Sequence, residues 1–275
     1  MLTITAPCAP RSALPARCLG RARGPRRAQA LPPLGRPEGG AAPESSEALR
    51  GALADEYDSA AASYDDKWKA YTEQTVAFCL DALPTLLPNA AVLDLACGTG
   101  AMLRALRRRP DAPARYVGID NSSAMLSQAA RTLGGVLSSG TQSSAADGTT
   151  PVSWLRGGAD EAFPLPDASV DAVVCANSFH FFGAPLVTLS EAYRVLKPGG
   201  TLLIGDWSSD YLTCRLLEAY LRITGRPTSP VLTAAALQAL LRQAAPAMEH
   251  VEVRKARLLT WWGFMVLVAR KPAQS

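Results

Sequence analysis

The sequence predicts an α/β fold: seven strands in a mostly parallel sheet, helices on both faces, and an antiparallel addition at one edge. Three observations carry this. Short apolar runs alternate with stretches whose apolar residues recur at helical spacing; the first such run passes directly into glycines; and the last two runs follow one another across a short turn around Trp261 and Trp262, as a hairpin does. Strands that alternate with helices give a parallel sheet whose ligands lie at the carboxyl ends of the strands.

The elements follow in order. From Glu47 the composition becomes helical, with apolar residues at helical spacing from Tyr71 to Leu83 and stops at Pro84 and Pro88. AAVLDLACGTG is a short apolar strand running into glycines, ARYVGID a second strand, and SSAMLSQAARTL a helix opened by Ser122 or Ser123. VSWLRGGA is a third strand. Before it, residues 133–151 hold almost no large apolar residue after Leu137, which predicts a flexible insertion. DAVVCANSF is a fourth strand, PLVTLSEAYRVLKPGG a helix closed by Gly199 and Gly200, and TLLIGDW a fifth strand. A helical pair, Asp210 to Gly225 and Thr233 to Ala244, precedes the strands VEVRKARLL and GFMVLVARK.

Composition narrows the class. With 275 residues, 48% apolar and 19% charged, the chain can bury a core, which excludes wholesale disorder. No apolar run reaches the roughly 18 residues of a membrane span, the longest being Phe264 to Ala269. The net charge of +4 is not spread evenly. Residues 1–50 hold eight Arg and three Glu, whereas the other 225 hold 20 Lys and Arg against 21 Asp and Glu. The body is therefore no basic nucleic-acid surface. Residues 1–45, rich in Arg, Ala and Pro with no acid before Glu38, read as a transit peptide or disordered arm, and residues 46–275 as the domain. Arg11, Arg17, Arg21 and Arg23 interrupt every candidate secretory core, and Pro density favours a chloroplast over a mitochondrial address. Cys79, Cys97, Cys175 and Cys214 are widely spaced without C-x-x-C, so reduced, buried thiols are expected rather than a metal site.

Four positions carry chemistry. In VLDLACGTG the backbone must turn sharply after a buried strand, and Gly98 and Gly100 permit both the turn and a close ligand approach. Asp120 ends the second strand twenty residues after Gly100, where a carboxylate can accept from two ribose hydroxyls; such charge-assisted bonds contribute about 1.5 to 3 kcal/mol each. An acid there could instead cap the following helix, as Asn121 or Ser122 also could. At the tip of the fourth strand, His180 is either a base, since imidazole titrates near neutrality, or a packing residue between Phe179 and Phe181. Tyr57 and Tyr64 lie seven apart, as on one helical face.

On these residues the stretch from Tyr57 to Lys271 resembles the class I S-adenosylmethionine-dependent methyltransferases, in particular the small-molecule group that includes the quinone-biosynthesis enzymes. The resemblance implies a Rossmann-like sheet with its last strand inserted antiparallel, and S-adenosylmethionine as cofactor. It places Asp94, Ala96, Gly98, Gly100, Asp120, Asn121 and Met125 against that cofactor. It also implies adenine contacts from Ala159 and Asp160, although the family's usual acid stands where this chain has Ala159. Asn177 and His180 would face cofactor and substrate, Tyr64 would belong to a lid, and Trp207, Tyr211 and Trp262 would lie near the acceptor.

Methyl transfer to a small, hydrophobic acceptor by in-line displacement is the activity this implies, with alignment supplying about 7 to 11 kcal/mol. A non-catalytic S-adenosylmethionine-binding protein would need the same residues. A dinucleotide oxidoreductase would want a third glycine where Leu103 stands.

Overall fold

The computed structural model describes residues 46–137, 151–224, 230–259 and 261–273. Residues 1–45, read as a transit peptide, lie outside them, as does most of the expected insertion. The elements in chain order are α1 (Ser46–Ala60), α2 (Tyr64–Ala82), β1 (Ala91–Leu95), α3 (Ala101–Leu106), β2 (Arg115–Asp120), α4 (Ser123–Leu133), β3 (Val136–Leu137) and β4 (Val152–Arg156). They continue with β5 (Val170–Ala176), a 3₁₀ turn (Phe179–Phe181), α5 (Pro185–Val195), β6 (Leu196–Trp207), α6 (Leu212–Ile223), α7 (Ala234–Ala244), β7 (Glu249–Leu258) and β8 (Trp262–Arg270).

The strands form one sheet in the order β3-β4-β2-β1-β5-β6-β8-β7. Every pair from β3 to β6 is parallel, and β8 runs antiparallel between β6 and β7, so the expected antiparallel last strand is present. The sheet has eight strands rather than seven. The extra one opens the stretch read as an insertion: Val136 and Leu137 pair with Ser153 and Trp154, which sequence alone hid because two residues make no periodic pattern.

Strand alternation distributes the core over two faces. Leu93 and Leu95 of β1 point toward α5 and α7 with Leu189, Val195, Leu237 and Leu241. Val92 points toward α2, α3 and α4 with Val76, Met102, Leu106 and Leu126. The four cysteines of this region are free and buried, as expected.

Two element boundaries differ from expectation. The helix expected to run to Gly199 ends at Val195, because Pro198 disfavours helix at the residue before it, and Leu196 already pairs with Val170. Tyr57 and Tyr64 do not share a helix: the chain turns at residues 61–63, Ser63 N donates to Ala60 O at 3.1 Å, and α2 starts afresh with Asp65 and Asp66 in its first turn. Their rings still meet, at 6.0 Å.

The glycine loop after β1 has two separate constraints. Gly100 has φ +79°, and a Cβ there would stand 2.4 Å from Leu133 Cδ1 and 3.0 Å from Trp154. Gly98 has φ +53° and would meet nothing within 4 Å. Gly100 thus belongs to helix and strand packing, and Gly98 borders open space. Gly100→Ala is expected to lower stability by about 1 to 3 kcal/mol, through overpacking added to backbone strain. Gly98→Ala should lose only about 1 kcal/mol, from φ alone. Urea denaturation of both variants checks this; equal losses would contradict the separation.

Candidate functional site

The site lies at the carboxyl ends of β1 and β5, where neighbouring strands lead their connections to opposite faces and leave a crevice. A cleft of about 720 Å³ opens there. Its walls come from α1 (Arg50, Leu53, Ala54, Tyr57), Tyr64, the loop after β1 (Ala96, Gly98), the end of β2 (Asp120, Asn121) and Met125. Gly157 to Asp160 after β4, and Ser178, Phe181 and Phe182 after β5, complete it. Of the residues singled out from sequence, Tyr64, Ala96, Gly98, Asp120, Asn121, Met125, Ala159 and Asp160 all meet here.

Asp120 is the anchor. Gly98 N donates to its Oδ2 and Ser122 N to its Oδ1, both at 2.8 Å. One carboxylate thereby fixes the turns after β1 and β2 against each other. Burial pushes its pKa up to about 6, and the two backbone donors oppose that rise. Ala96 accepts the left-handed conformation at φ 52°, and Cys97 N bonds Ile119 O at 3.0 Å, so the loop is held to β2 at consecutive residues.

Asp94 does not border this cleft. Alternation turns it toward the helix face, where it is 2% exposed and accepts from the Tyr116 hydroxyl. Burial raises its pKa to about 7, against the Tyr116 hydrogen bond. It lines a second cavity of about 430 Å³ that shares Tyr64, Ala96, Gly98 and Ser178 with the first. Asn177 borders that second cavity in a left-handed conformation, φ 64°. Its Nδ2 donates to Thr75 Oγ1 at 2.9 Å, while its Oδ1 is buried with no partner among the described residues. Gly100 borders neither cavity.

Asp160 is not an exposed turn residue: at 6% exposure it binds Arg50 Nη1 at 3.1 Å and Gly183 N at 3.2 Å. Its side chain is thus already engaged by protein. Ala159 beside it is buried. Met125 is packed at 1% exposure in the first turn of α4, which Ser122 caps by accepting from Met125 N at 3.1 Å.

A lid ahead of β1 was expected, but Arg50 and Asp58 of α1 were not foreseen as part of it. Arg50 bridges Asp160 and Glu161, its carbonyl accepts from Asn121 Nδ2 at 2.7 Å, and Asp58 accepts from Ser122 Oγ and from Ala124 N. The partners of Arg50 lie 71 and 110 residues away, a separation that no local spacing rule reaches.

His180 lies off the fourth strand, because β5 ends at Ala176 and the 3₁₀ turn carries it behind Phe181. It is 3% exposed and borders neither cavity. Asp206 holds it twice, accepting from His180 N at 2.6 Å and pairing with Nδ1 at 2.7 Å. A carboxylate at Nδ1 assigns a proton to that nitrogen; Nε2 is buried with no partner among the described residues. Trp207 stacks on the imidazole at 4.0 Å and Trp262 meets Trp207 at 5.3 Å, whereas Tyr211 lies under Arg257 at 5.8 Å. None of the three borders either cavity.

Among the described residues no group of three or more His, Cys, Asp or Glu is placed to hold a metal, and no helix is long and apolar enough to cross a membrane. The residues do fit an adenosyl cofactor. Gly98 presents bare backbone to open space, Asp120 presents a fixed carboxylate, and Asn177, whose buried Oδ1 has no partner among the described residues, lines the adjoining cavity.

Comparison with known proteins agrees with this geometry. Residues 93–204 match the family described as a methyltransferase domain. A demethylmenaquinone methyltransferase of Lactiplantibacillus plantarum is 36% identical over 118 residues, which are 43% of the chain and 45% of that protein. The chain thus spans less than half the length of this curated relative. Among solved structures, the complex of the Haloferax volcanii Trm112 methyltransferase activator with a putative methyltransferase aligns with TM-score 0.63 at 23% identity, covering 78% of this chain and 97% of that one. Phosphoethanolamine N-methyltransferase 2 of Haemonchus contortus, solved with phosphomonomethylethanolamine and S-adenosylhomocysteine, aligns with TM-score 0.61 at 15% identity, over 82% of this chain and 60% of that one. The matched segment contains β1 with its glycine loop, Asp120 and most of the cleft wall, and the sheet around it has the same fold as those structures.

Proposed function

We propose that this protein transfers the methyl group of S-adenosylmethionine to a small, hydrophobic acceptor by direct in-line displacement. The observation that carries the reading is Asp120, fixed by two backbone donors across from the bare backbone of Gly98 in one cleft. When bound, S-adenosylmethionine supplies an electrophilic methyl group on sulfur. The chain's own contribution is alignment: Asp120 offers acceptor lone pairs to the ribose, Met125 and Ala159 form apolar walls, and Arg50 and Asp58 hold α1 across the opening. A hydrophobic acceptor is supported by Leu53, Tyr57, Phe181 and Phe182 on the same cleft, and by the quinone substrate named for the L. plantarum relative. For a proton that the acceptor gives up, His180 is the base we propose, on the strength of its Asp206-fixed tautomer and unpartnered Nε2. The composition of residues 1–45 supports an organellar address, chloroplast before mitochondrion.

Thermal unfolding with added S-adenosylmethionine tests the cofactor. At about 100 times its dissociation constant it should add about 2.7 kcal/mol of stability. NAD should add none, and Asp120→Ala should lose the effect. Stabilisation by NAD instead would overturn the reading.

Affinity should also depend on pH. A carboxylate accepts ribose donors only when ionised, and in the free protein Asp120 titrates near 6. Calorimetric titration should show constant affinity above that value and a fall approaching tenfold per pH unit below it, as for a single proton. Asp120→Asn should flatten the profile.

His180→Gln is expected to keep cofactor affinity and lose about 100-fold or more of S-adenosylhomocysteine formation with a competent acceptor. Unchanged turnover would assign the imidazole to packing.

A further inference from the structure

Helix α6 has two apolar faces, one of them packed on the sheet. Its inner face buries Cys214 and Leu221, and the Cys214 thiol bonds Gly263 O of β8 at 3.1 Å. Its outer face carries Leu212, Leu216, Tyr220 and Ile223, exposed at 66, 62, 52 and 86%. At 3.6 residues per turn these four fall within an arc of about 80°. Among the described residues eight large hydrophobic side chains are exposed; four lie on this stripe, and a fifth, Trp261, adjoins it, since Thr213 Oγ1 donates to Trp261 O at 3.0 Å. Scattered exposed hydrophobics need no explanation, but a contiguous stripe marks an interaction surface.

Charge selects the occupant. The flank of α6 bears Arg215 and Arg222, and the neighbouring strand β7 bears Lys255 and Arg257. The acids beside α6 are paired and more covered than their cations: Glu218, 15% exposed, holds Arg222 at 60%, and Asp210, 27% exposed, holds Lys255 at 46%; further along β7, Glu252 at 59% pairs with Arg254 at 42%. The outward balance is positive beside an apolar stripe with a tryptophan at its margin. That is the pattern of a helix lying in the interface of an anionic bilayer. We propose that the outer face of α6, with Trp261, docks the protein on an anionic lipid surface. Helix α6 follows the carboxyl end of β6, the end of the parallel strands at which the cleft also lies. A ladder of rings leads inward from Trp261 through Trp262, Trp207 and His180 to Phe181 on the cleft wall, with centroids 5.3, 5.3, 4.0 and 4.0 Å apart. A lipid-soluble acceptor would leave the bilayer beside that wall.

The test is co-flotation of the full chain with vesicles of phosphatidylcholine alone or mixed with phosphatidylglycerol. The double variant Leu216→Gln, Ile223→Gln runs alongside, and the arginine-rich first 45 residues are common to both proteins. The expected result is binding to the anionic vesicles, weakened by about tenfold or more in the variant, whose thermal midpoint should match the parent because both side chains are exposed. Equal binding by parent and variant would assign attachment to the basic segment and overturn the proposal. Absence of binding would overturn it too. So would a parent that is dimeric in light scattering, binds no vesicles, and becomes monomeric in the variant, since the face would then join two copies of the chain. Because no acceptor or cofactor enters the experiment, its failure leaves the methyl-transfer reading standing.

Discussion

The site depends on a single carboxylate whose hydration is replaced by two peptide groups. Parallel pairing of Leu95 with Ile119 brings the ends of β1 and β2 level, so the chain must turn at the same height twice. Asp120 lies between those turns and takes a backbone proton from each. Desolvation of a carboxylate costs more than two amide hydrogen bonds return here, which is why its pKa remains near 6 rather than below the usual range. The deficit has a functional sense. A carboxylate fully satisfied by protein would hold its loops rigidly but would have little left for a ligand, whereas this one gains from every further donor that enters the cleft.

Helix α1 closes the cleft by a different kind of force. Among its described side chains Leu53 alone is a buried hydrophobic, so the helix is held by Arg50 and Asp58 and by the edge contact of Tyr57 with Phe181 at 5.9 Å. Partly exposed ion pairs contribute about 0 to 1 kcal/mol each. The sheet, by contrast, is packed on both faces by helices whose inward residues are almost wholly buried. The cover is therefore the weakly held element over a strongly held floor, the arrangement that lets a ligand enter without disturbing the core.

What could be read from sequence follows the range of the interactions. The strands around the cleft were legible because a parallel sheet buried on both faces needs nearly continuous apolar runs. Gly98 and Asp120 were legible because their spacing is set by one strand–helix–strand unit. The helix ending at Val195, the break between Tyr57 and Tyr64, and the two-residue strand at Val136 were not, since each is decided by pairing or turning that leaves little local trace. Arg50 was invisible for the same reason: its role exists only after β4 has been brought beside α1. Asp94 was seen, but not its partner: alternation turns it toward the face covered by α2, α3 and α4, where it meets Tyr116 and lines the adjoining cavity.

Around the cleft the chemistry divides by side. Along the β2 and β4 edge the polar groups are held in place by protein: Asp120 by two amides, Asp160 by Arg50 and Gly183, Asn121 by the Arg50 carbonyl, Ser122 by Asp58. Toward the β5 and β6 edge the wall is aromatic, with Tyr64, Tyr57 and Phe181, and His180 and Trp207 stack behind Phe181 outside both cavities. Among the described residues the buried side-chain polar atoms without a partner are on this second side, at His180 Nε2, Trp262 Nε1 and Asn177 Oδ1. A ligand rich in hydroxyls and ring nitrogens finds prepared partners on the first side only. The apolar acceptor proposed above would meet Tyr57, Phe181 and Phe182 on the second. That asymmetry, arising from which strand ends carry acids and which carry aromatics, orders the two reactants across β1 before any catalytic residue is considered.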